Sequence, residues 1–144
     1  MIQPDGPTTF YIAGPMTGIE DYNFPAFDDA RDMLHKNGLV AISPADMDRE
    51  LGYFKDGTES ENLANYMKRD LEQVAKADGI LLIMGWEGSK GANIELLVAL
   101  ICNLVVWVQV EDTEGNLQVI EAKPTPDLFP VMSHVLMLNT EGGY

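Results

Sequence analysis

The sequence predicts a single α/β domain over residues 1–144, in which a five-stranded, mostly parallel sheet lies between two layers of helices. Two observations lead to this prediction. Short apolar runs alternate with helix-like segments along the whole chain, a pattern typical of a parallel sheet covered on both faces. A chain of this length also buries roughly 68–70% of its unfolded surface, which is enough for one core.

The first half of the chain contains two predicted strands and one predicted helix. Residues 8–13 are rich in β-branched and aromatic side chains and stop at a Gly-Pro turn. Residues 24–36 carry apolar side chains at helical spacing, and the Asn-Gly pair that follows is a C-terminal cap. Residues 39–42 form a second short strand. Residues 46–61 are polar and contain glycine, which predicts a loop with one helical turn.

The second half continues the alternation. Residues 62–76 have an apolar side and are predicted to be helical, and the uninterrupted apolar run 80–84 is typical of a central parallel strand. Residues 91–103 form the next predicted helix and residues 104–110 a fourth strand. Three prolines then disfavour regular structure before a last predicted strand at residues 135–138.

Composition excludes several classes of protein. The formal net charge is −14, which argues against nucleic acid as a partner because phosphate backbones are bound mainly by Lys and Arg clusters. Polar residues interrupt the longest apolar stretch, so we expect no membrane span. The first residues lack a signal-peptide pattern. Cys102 is the single cysteine and is expected in the core, which indicates a reducing, cytoplasmic setting.

The loop after the third strand carries the strongest signal for chemistry. In parallel sheets, ligands bind beyond the carboxyl ends of strands. Three glycines in residues 85–91 let backbone approach a ligand closely. Ser89 and Gly91 stand at the start of a helix, where free N–H groups favour an anion.

Glu95 lies one turn further along the same helix, among apolar neighbours. A carboxylate in that setting needs a partner or a chemical role. The alternative is a solvated glutamate on a capped helix. Tyr11, near the end of the first strand, is either a core residue or a partner whose hydroxyl would need an acceptor, for which Glu95 is a candidate. Trp86 either stacks on a ligand or packs in the core.

Other site types have little support. No GxGxxG pattern follows the first strand, which disfavours a nicotinamide dehydrogenase. His35 and His134 are far apart in the sequence, and there is one cysteine. We therefore expect neither a metal site nor a cofactor.

Together these residues resemble a known family, the nucleoside 2-deoxyribosyltransferase superfamily, which includes the 2′-deoxynucleoside 5′-monophosphate N-glycosidases. The chain is most similar to an uncharacterised branch that is common in bacteriophage genomes. The resemblance covers about residues 10–108 and implies a Rossmann- or flavodoxin-like three-layer sandwich. It is carried by Tyr-Ile-Ala-Gly-Pro-Met at 11–16, Arg69-Asp70-Leu71, Ala77-Asp78, and Ser89 six residues before Glu95.

The resemblance implies roles for three catalytic residues. Glu95 matches the nucleophile that attacks the anomeric carbon and forms a glycosyl-enzyme intermediate. Asp70 matches an aspartate that binds sugar hydroxyls and assists departure of the base. Tyr11 matches the tyrosine that orients the nucleophile. The resemblance leaves open whether water or a second base takes the intermediate.

It also implies substrate-binding residues. The loop that lines the base and sugar pocket matches Gly14, Pro15 and Met16. Transferases of free nucleosides carry an aspartate where this chain has Ser89, as the monophosphate N-glycosidases do. An aspartate would repel a phosphate, whereas the Ser89 hydroxyl, the Gly91 backbone and the Lys90 cation favour one. A 5′-monophosphate is therefore the expected small-molecule substrate.

The family completes its site with residues from a neighbouring subunit, so a homo-oligomer is expected, with Met137 or Asn139 as the contributed residues. Two other functions stay open. One is a ribonucleotide or NAD-cleaving glycohydrolase on a related fold, which would require a ribose 2′-hydroxyl. The other is a non-catalytic nucleotide sensor or sponge, which would bind tightly without turnover.

Overall fold

The computed structural model describes residues 6–51 and 59–123. Its strands are β1 (Thr9–Ala13), β2 (Val40–Ile42), β3 (Gly79–Leu82), β4 (Val105–Glu111) and β5 (Leu117–Ala122). Its helices are α1 (Phe24–Lys36), α2 (Pro44–Leu51), α3 (Glu59–Lys76) and α4 (Lys90–Ile101).

The described strands form a five-stranded sheet in the order β2-β1-β3-β4-β5. The first four are parallel, and β5 pairs antiparallel with β4. The short turn between β4 and β5, closed by the Asp112 N–H to the Asn116 carbonyl at 2.9 Å, is compatible only with an antiparallel pair. The predicted α/β fold class is confirmed. The fifth strand is β5, and the strand predicted at residues 135–138 lies outside the described residues.

Helices cover both faces of the sheet, as alternate residues of β1 show. Phe10 and Ile12 point into a cluster with α1, whereas Tyr11 and Ala13 point into a cluster with α3 and α4. Strand β3 lies between β1 and β4 and is buried along its whole length. This is the environment that its uninterrupted apolar run predicts.

The loop predicted over residues 46–61 is wrong for most of its length. Helix α2 occupies its first part, and α3 begins at Glu59 rather than near residue 62. Ion pairs hold α2 against α1: Arg31 lies 2.6 Å from Asp46, and Arg49 lies 2.7 Å from Asp28. These contacts join side chains of different segments, so local polarity gave no sign of them.

The predicted burial of Cys102 is also wrong, since this residue is exposed. Helix α4 ends at Ile101, and Cys102 is its C-terminal cap. The next residue, Asn103, has a φ of 59°, a left-handed conformation that ends the helix and turns the chain. The apolar face of α4 therefore stops one turn earlier than the sequence indicates.

The strand order creates a topological switch point between β1 and β3. The chain passes from β1 to β2 on one side and then returns to β3 on the other side of β1. The loops that leave the carboxyl ends of β1 and β3 therefore diverge, and such switch points are where open α/β sheets bind ligands. The two loops that carry predicted site residues follow these two strands.

Candidate active site

Tyr11 and Glu95 form a buried hydrogen-bonded pair. The Tyr11 hydroxyl donates to Oε2 of Glu95. Tyr11 is fully buried on β1, and Glu95 is 5% exposed in the second turn of α4. The two elements meet because α4 packs on the face of the sheet to which Tyr11 points. The predicted hydrogen bond is confirmed.

Asp70 joins this pair from α3. Its carboxyl interacts with the Tyr11 hydroxyl, and its charge lies close enough to Glu95 to raise the pKa of that residue. Its neighbour Arg69 holds one carboxyl oxygen, Oδ1, through Nε at 2.9 Å and Nη2 at 2.8 Å. Three elements, β1, α3 and α4, thus bring the three predicted catalytic residues together.

Arg69 makes a second ion pair that sequence analysis did not predict. Its Nη1 lies 2.8 Å from Oδ1 of Asp48 on α2, an ion pair without hydrogen-bond geometry. Its guanidinium lies over the ring of Tyr66, 5.3 Å from the ring centroid. Because Asp48 and Arg69 lie on different helices, no spacing rule connects them. The available signal was the Arg69-Asp70 motif, which places a cation next to a carboxylate that is predicted to be catalytic.

Burial dominates the electrostatics of the three carboxyls. It raises the pKa of Asp70 to about 6, although the Arg69 charge opposes it. Burial, followed by the Asp70 charge, raises the pKa of Glu95 well above its ordinary value, while the Tyr11 hydrogen bond and Arg69 act in the other direction. Burial also raises the pKa of Asp48. One guanidinium balances only part of this charge, so simultaneous ionisation of all three carboxyls is disfavoured.

Tyr11 and Arg69 keep their protons in this setting. Burial raises the pKa of Tyr11, and the charges of Glu95 and Asp70 raise it further. Burial acts to lower the pKa of Arg69, but its two carboxylate partners outweigh burial and raise it. Tyr11 is therefore a permanent hydrogen-bond donor and Arg69 a permanent cation.

The loop between β3 and α4 is organised by two polar side chains. Ser89 caps α4, since its Oγ accepts the Ala92 N–H at 3.1 Å. Asn93 is 2% exposed, and its Nδ2 donates to three backbone carbonyls of the loop at 2.7–3.2 Å, those of Trp86, Glu87 and Ser89. Sequence analysis missed Asn93. The signal was a carboxamide in an otherwise apolar helical run, where it needs internal partners.

Trp86 lies in a 3-10 turn, Trp86–Gly88, and is half-buried. It packs against the core on the α4 side of the sheet, which is the packing alternative for this residue. Its indole Nε1 is buried without a hydrogen-bond partner among the described residues. The tryptophan therefore packs in the core and also has a buried donor without a partner among the described residues.

The loop after β1 is held close to the sheet. A Cβ on Gly14 would lie 2.2 Å from Cγ1 of Ile83, so only glycine fits between β1 and β3. The Asn23 side chain donates to the Pro15 carbonyl at 2.9 Å, and Met16 packs against the core on the α1 side. A glycine is therefore required at position 14 by packing against Ile83, independently of any ligand that the loop contacts.

Comparison with known proteins now places the chain in a family. Residues 8–108 match the model of Domain of unknown function (DUF4406). The chain belongs to this family. No curated protein matches it.

This DUF4406 protein is similar to a solved structure, the 2-deoxyribosyltransferase of the psychrotolerant bacterium Bacillus psychrosaccharolyticus. The two share 24% sequence identity over 70% of this chain and 71% of that chain, with a TM-score of 0.55. The likeness establishes a shared fold.

The DUF4406 region contains the buried cluster. Tyr11, Asp48, Arg69, Asp70 and Glu95 all lie within residues 8–108. The start of α4, with Ser89, Lys90 and Gly91, lies there too. The two residues predicted to come from a neighbouring subunit, Met137 and Asn139, lie outside the described residues.

The described part of this DUF4406 protein has neither a metal-binding cluster of His, Cys, Asp or Glu side chains nor a helix able to span a membrane. Over residues 6–51 and 59–123, no group of three or more His, Cys, Asp or Glu side chains is arranged to hold a metal ion. Within the same ranges, no helix has the length and apolar character needed to cross a membrane.

Proposed function

We propose that this DUF4406 protein is an enzyme that cleaves the N-glycosidic bond of a nucleoside 5′-monophosphate, with Glu95 as its nucleophile. One observation carries the proposal: a buried Glu95 carboxyl accepts a hydrogen bond from Tyr11 beside the Asp70 carboxyl, at the switch point of the sheet. Two carboxyls with raised pKa values weaken folding when both ionise, which favours a chemical role over a structural one.

In the first step, an oxygen of the ionised Glu95 attacks the anomeric carbon and forms an ester bond. The bond from that carbon to the base breaks, and its electron pair stays with the base nitrogen. Asp70, whose pKa of about 6 keeps part of it protonated near neutral pH, gives its proton to the departing base. Glu95 also stabilises the positive charge that develops on the sugar.

In the second step, water or a second base attacks the same carbon from the opposite face. The ester bond breaks, the Glu95 carboxylate is restored, and the incoming nucleophile loses its proton to Asp70. Two displacements at one carbon retain its configuration. Attack by water makes the enzyme a hydrolase, and attack by a base makes it a transferase.

The start of α4 supports a phosphate on the substrate. The Ser89 oxygen accepts the Ala92 N–H, so its own proton is available to an anion. The first N–H groups of a helix have no intrahelical acceptor, and the helix dipole favours negative charge there. Glu95 follows about 9 Å further along the helix, and its side chain tilts back toward this end. One helix would thus bind the phosphate and present the nucleophile.

The direct test is base release from a panel of deoxy- and ribonucleoside 5′-monophosphates, free nucleosides and NAD, followed by chromatography. We expect release from a deoxynucleoside monophosphate and its loss in Glu95→Ala. Glu111→Ala, which removes an exposed carboxylate at the end of β4, is the control and should keep full activity. Release only from ribosyl substrates would favour the glycohydrolase. Binding without release, unchanged in Glu95→Gln, would favour the sensor.

The proposal includes a site shared between subunits, which the family resemblance supports. Mixing experiments test it. Glu95→Ala and Asn139→Ala are each expected to be inactive, and their mixture should regain activity because hybrid oligomers contain one intact site. A fully active monomer in sedimentation would contradict a shared site.

A further inference from the structure

Arg69 is contacted on three sides. Its Nε and Nη2 face Asp70, its Nη1 faces Asp48 at 2.8 Å, and its planar group stacks on Tyr66. The side chains of Asp48, Arg69 and Asp70 are 11%, 14% and 13% exposed, so little water competes for these contacts. The Nε hydrogen bond to Asp70 and the two ion pairs together orient Arg69.

Asp48 has no place in the proposed chemistry. Yet Asp48 lies on the far side of the guanidinium from Asp70, and α2 is fixed to α1 by its own ion pairs. If Asp48 only tied α2 to α3, pairing with any exposed cation on α3 would serve that purpose. Instead it shares the cation that holds a carboxyl of the proposed active site.

The charged and titratable groups around Asp70 come from four elements. Tyr11 faces it from β1, Glu95 from α4 and Arg69 from its own helix, and Asp48 acts on it from α2. Among Asp70 and these four groups, the Arg69 guanidinium is the single cation. Its charge is therefore divided between two carboxylates, and the share that reaches Asp70 depends on Asp48.

We propose that Asp48 is a positioning residue: by holding Nη1 of Arg69 it fixes the guanidinium edge that grips Asp70 and limits how much of the cation's charge Asp70 receives. Asp70 is thereby kept beside Tyr11 and remains able to carry a proton. The kinetic consequence rests on the proposed function, whereas the electrostatic consequence does not.

Titration of the Asp70 side chain tests this inference without substrate. Carboxyl resonances of the 13C-labelled protein are followed against pH in the wild type and in Asp48→Asn. Removing the Asp48 charge leaves Arg69 to Asp70 alone, which stabilises the ionised Asp70. We expect its titration midpoint to fall by about 1 in pH. Asp48→Glu, which restores the carboxylate, should return the midpoint toward the wild-type value.

Asp46→Asn is the matched control. It removes the same charge from the same helix, but Asp46 pairs with Arg31 and Arg49, so the Asp70 midpoint should not move. If Asn at position 48 reduces the folded population, Asp48→Ser removes the same charge and is titrated instead. An unchanged Asp70 midpoint in the variant that is titrated, or an equal shift in Asp46→Asn, would overturn the proposal.

Kinetics separates this inference from the proposed function. With a substrate that releases base, Asp48→Asn should lower kcat about 10-fold or more, because a misoriented proton donor slows the chemical step. The alkaline limb of its pH profile should move to lower pH. If no nucleotide releases base, the proposed function fails, and the Asp70 titration still decides the role of Asp48.

Discussion

The hydroxyl of Tyr11 donates a hydrogen bond to Oε2 of Glu95, and both side chains are buried between β1 and α4. This contact joins a strand residue to a helix residue 84 positions away. Since the pKa of Tyr11 is raised, the phenol stays a donor over the whole physiological pH range. The pair therefore holds one oxygen of the Glu95 carboxyl in a fixed place.

Tyr11→Phe removes this donor and keeps the ring. A hydrogen bond to a charged group contributes about 1.5–3 kcal/mol, so we expect kcat for base release to fall by roughly 10- to 150-fold. The pKa of Glu95 should rise further, because the bond that lowers it is lost. Steady-state kinetics measures the first effect. Tyr22→Phe, at an exposed tyrosine, should leave kcat unchanged, and equal losses in both variants would argue against a specific role for Tyr11.

Activity should decline as pH rises through about 6, where Asp70 loses its proton. The donor form of Asp70 dominates below that pH and is lost above it, so the alkaline limb of the kcat/KM profile, which reports the free enzyme, should have its midpoint there. Asp70→Asn cannot donate a proton and should show a low kcat without this limb. A wild-type profile that stays flat between pH values of about 5 and 8 would contradict the assignment of Asp70 as the acid.

Glu95→Gln should abolish turnover and stabilise the fold. The pKa of Glu95 is higher in the folded protein than in the unfolded chain. Its favourable contribution to folding stability is therefore fully present below the unfolded pKa of about 4.3. That contribution is lost as pH rises through the folded value. We expect an increase of about 3–8 °C in Tm near neutral pH, equivalent to about 1–2 kcal/mol, and little change near pH ~4. The control Glu111→Gln should change Tm little. A lowered Tm for Glu95→Gln near neutral pH would show that the buried Glu95 carboxylate does not destabilise the fold.

Substitutions of Ser89 separate its two roles. Ser89→Ala loses the cap of α4 and should reduce stability by about 1 kcal/mol. Ser89→Asp retains a capping oxygen but places a negative charge where the phosphate is proposed to bind. We expect Ser89→Asp to keep its stability, to lose activity on monophosphates and to retain activity on free nucleosides. Equal use of both substrates by this variant would contradict a phosphate site at α4.

Two glycines of the proposed pocket should respond differently to alanine. Gly14→Ala places a methyl group 2.2 Å from Cγ1 of Ile83 and should destabilise the fold by about 1–3 kcal/mol. At Gly91 the closest atom to a new Cβ is Cε of Met67 at 3.5 Å, an ordinary contact. Gly91→Ala should fold normally, so any loss of activity would report ligand approach. Thermal unfolding of both variants measures the difference, and equal destabilisation would refute it.

Local patterns predicted much of the fold. The bounds of α1 agree with the sequence prediction, because apolar spacing and an Asn-Gly cap define both of its ends. Strand β3 was recognisable from its apolar run. The Tyr11–Glu95 contact could be predicted because a phenol on a strand and a carboxyl on an apolar helix, both expected to be buried, each need a hydrogen-bond partner.

Contacts between distant polar side chains were not predictable. Helix α2 is polar in sequence and is held by ion pairs to α1, while Asp48 gains its role only by meeting Arg69 across two helices. Asn93 was overlooked because its partners are backbone carbonyls. Every residue has a backbone carbonyl, so these partners leave no pattern in the sequence. Such contacts depend on tertiary structure, and no periodicity records them.

The most direct test of the central claim is mass spectrometry of the enzyme quenched in acid during incubation with a deoxynucleoside 5′-monophosphate. We expect a deoxyribosyl phosphate adduct on the peptide that contains Glu95, present in the wild type and absent from Glu95→Gln. Base release by the wild type without any adduct at Glu95, or an adduct on another residue, would contradict Glu95 as the nucleophile.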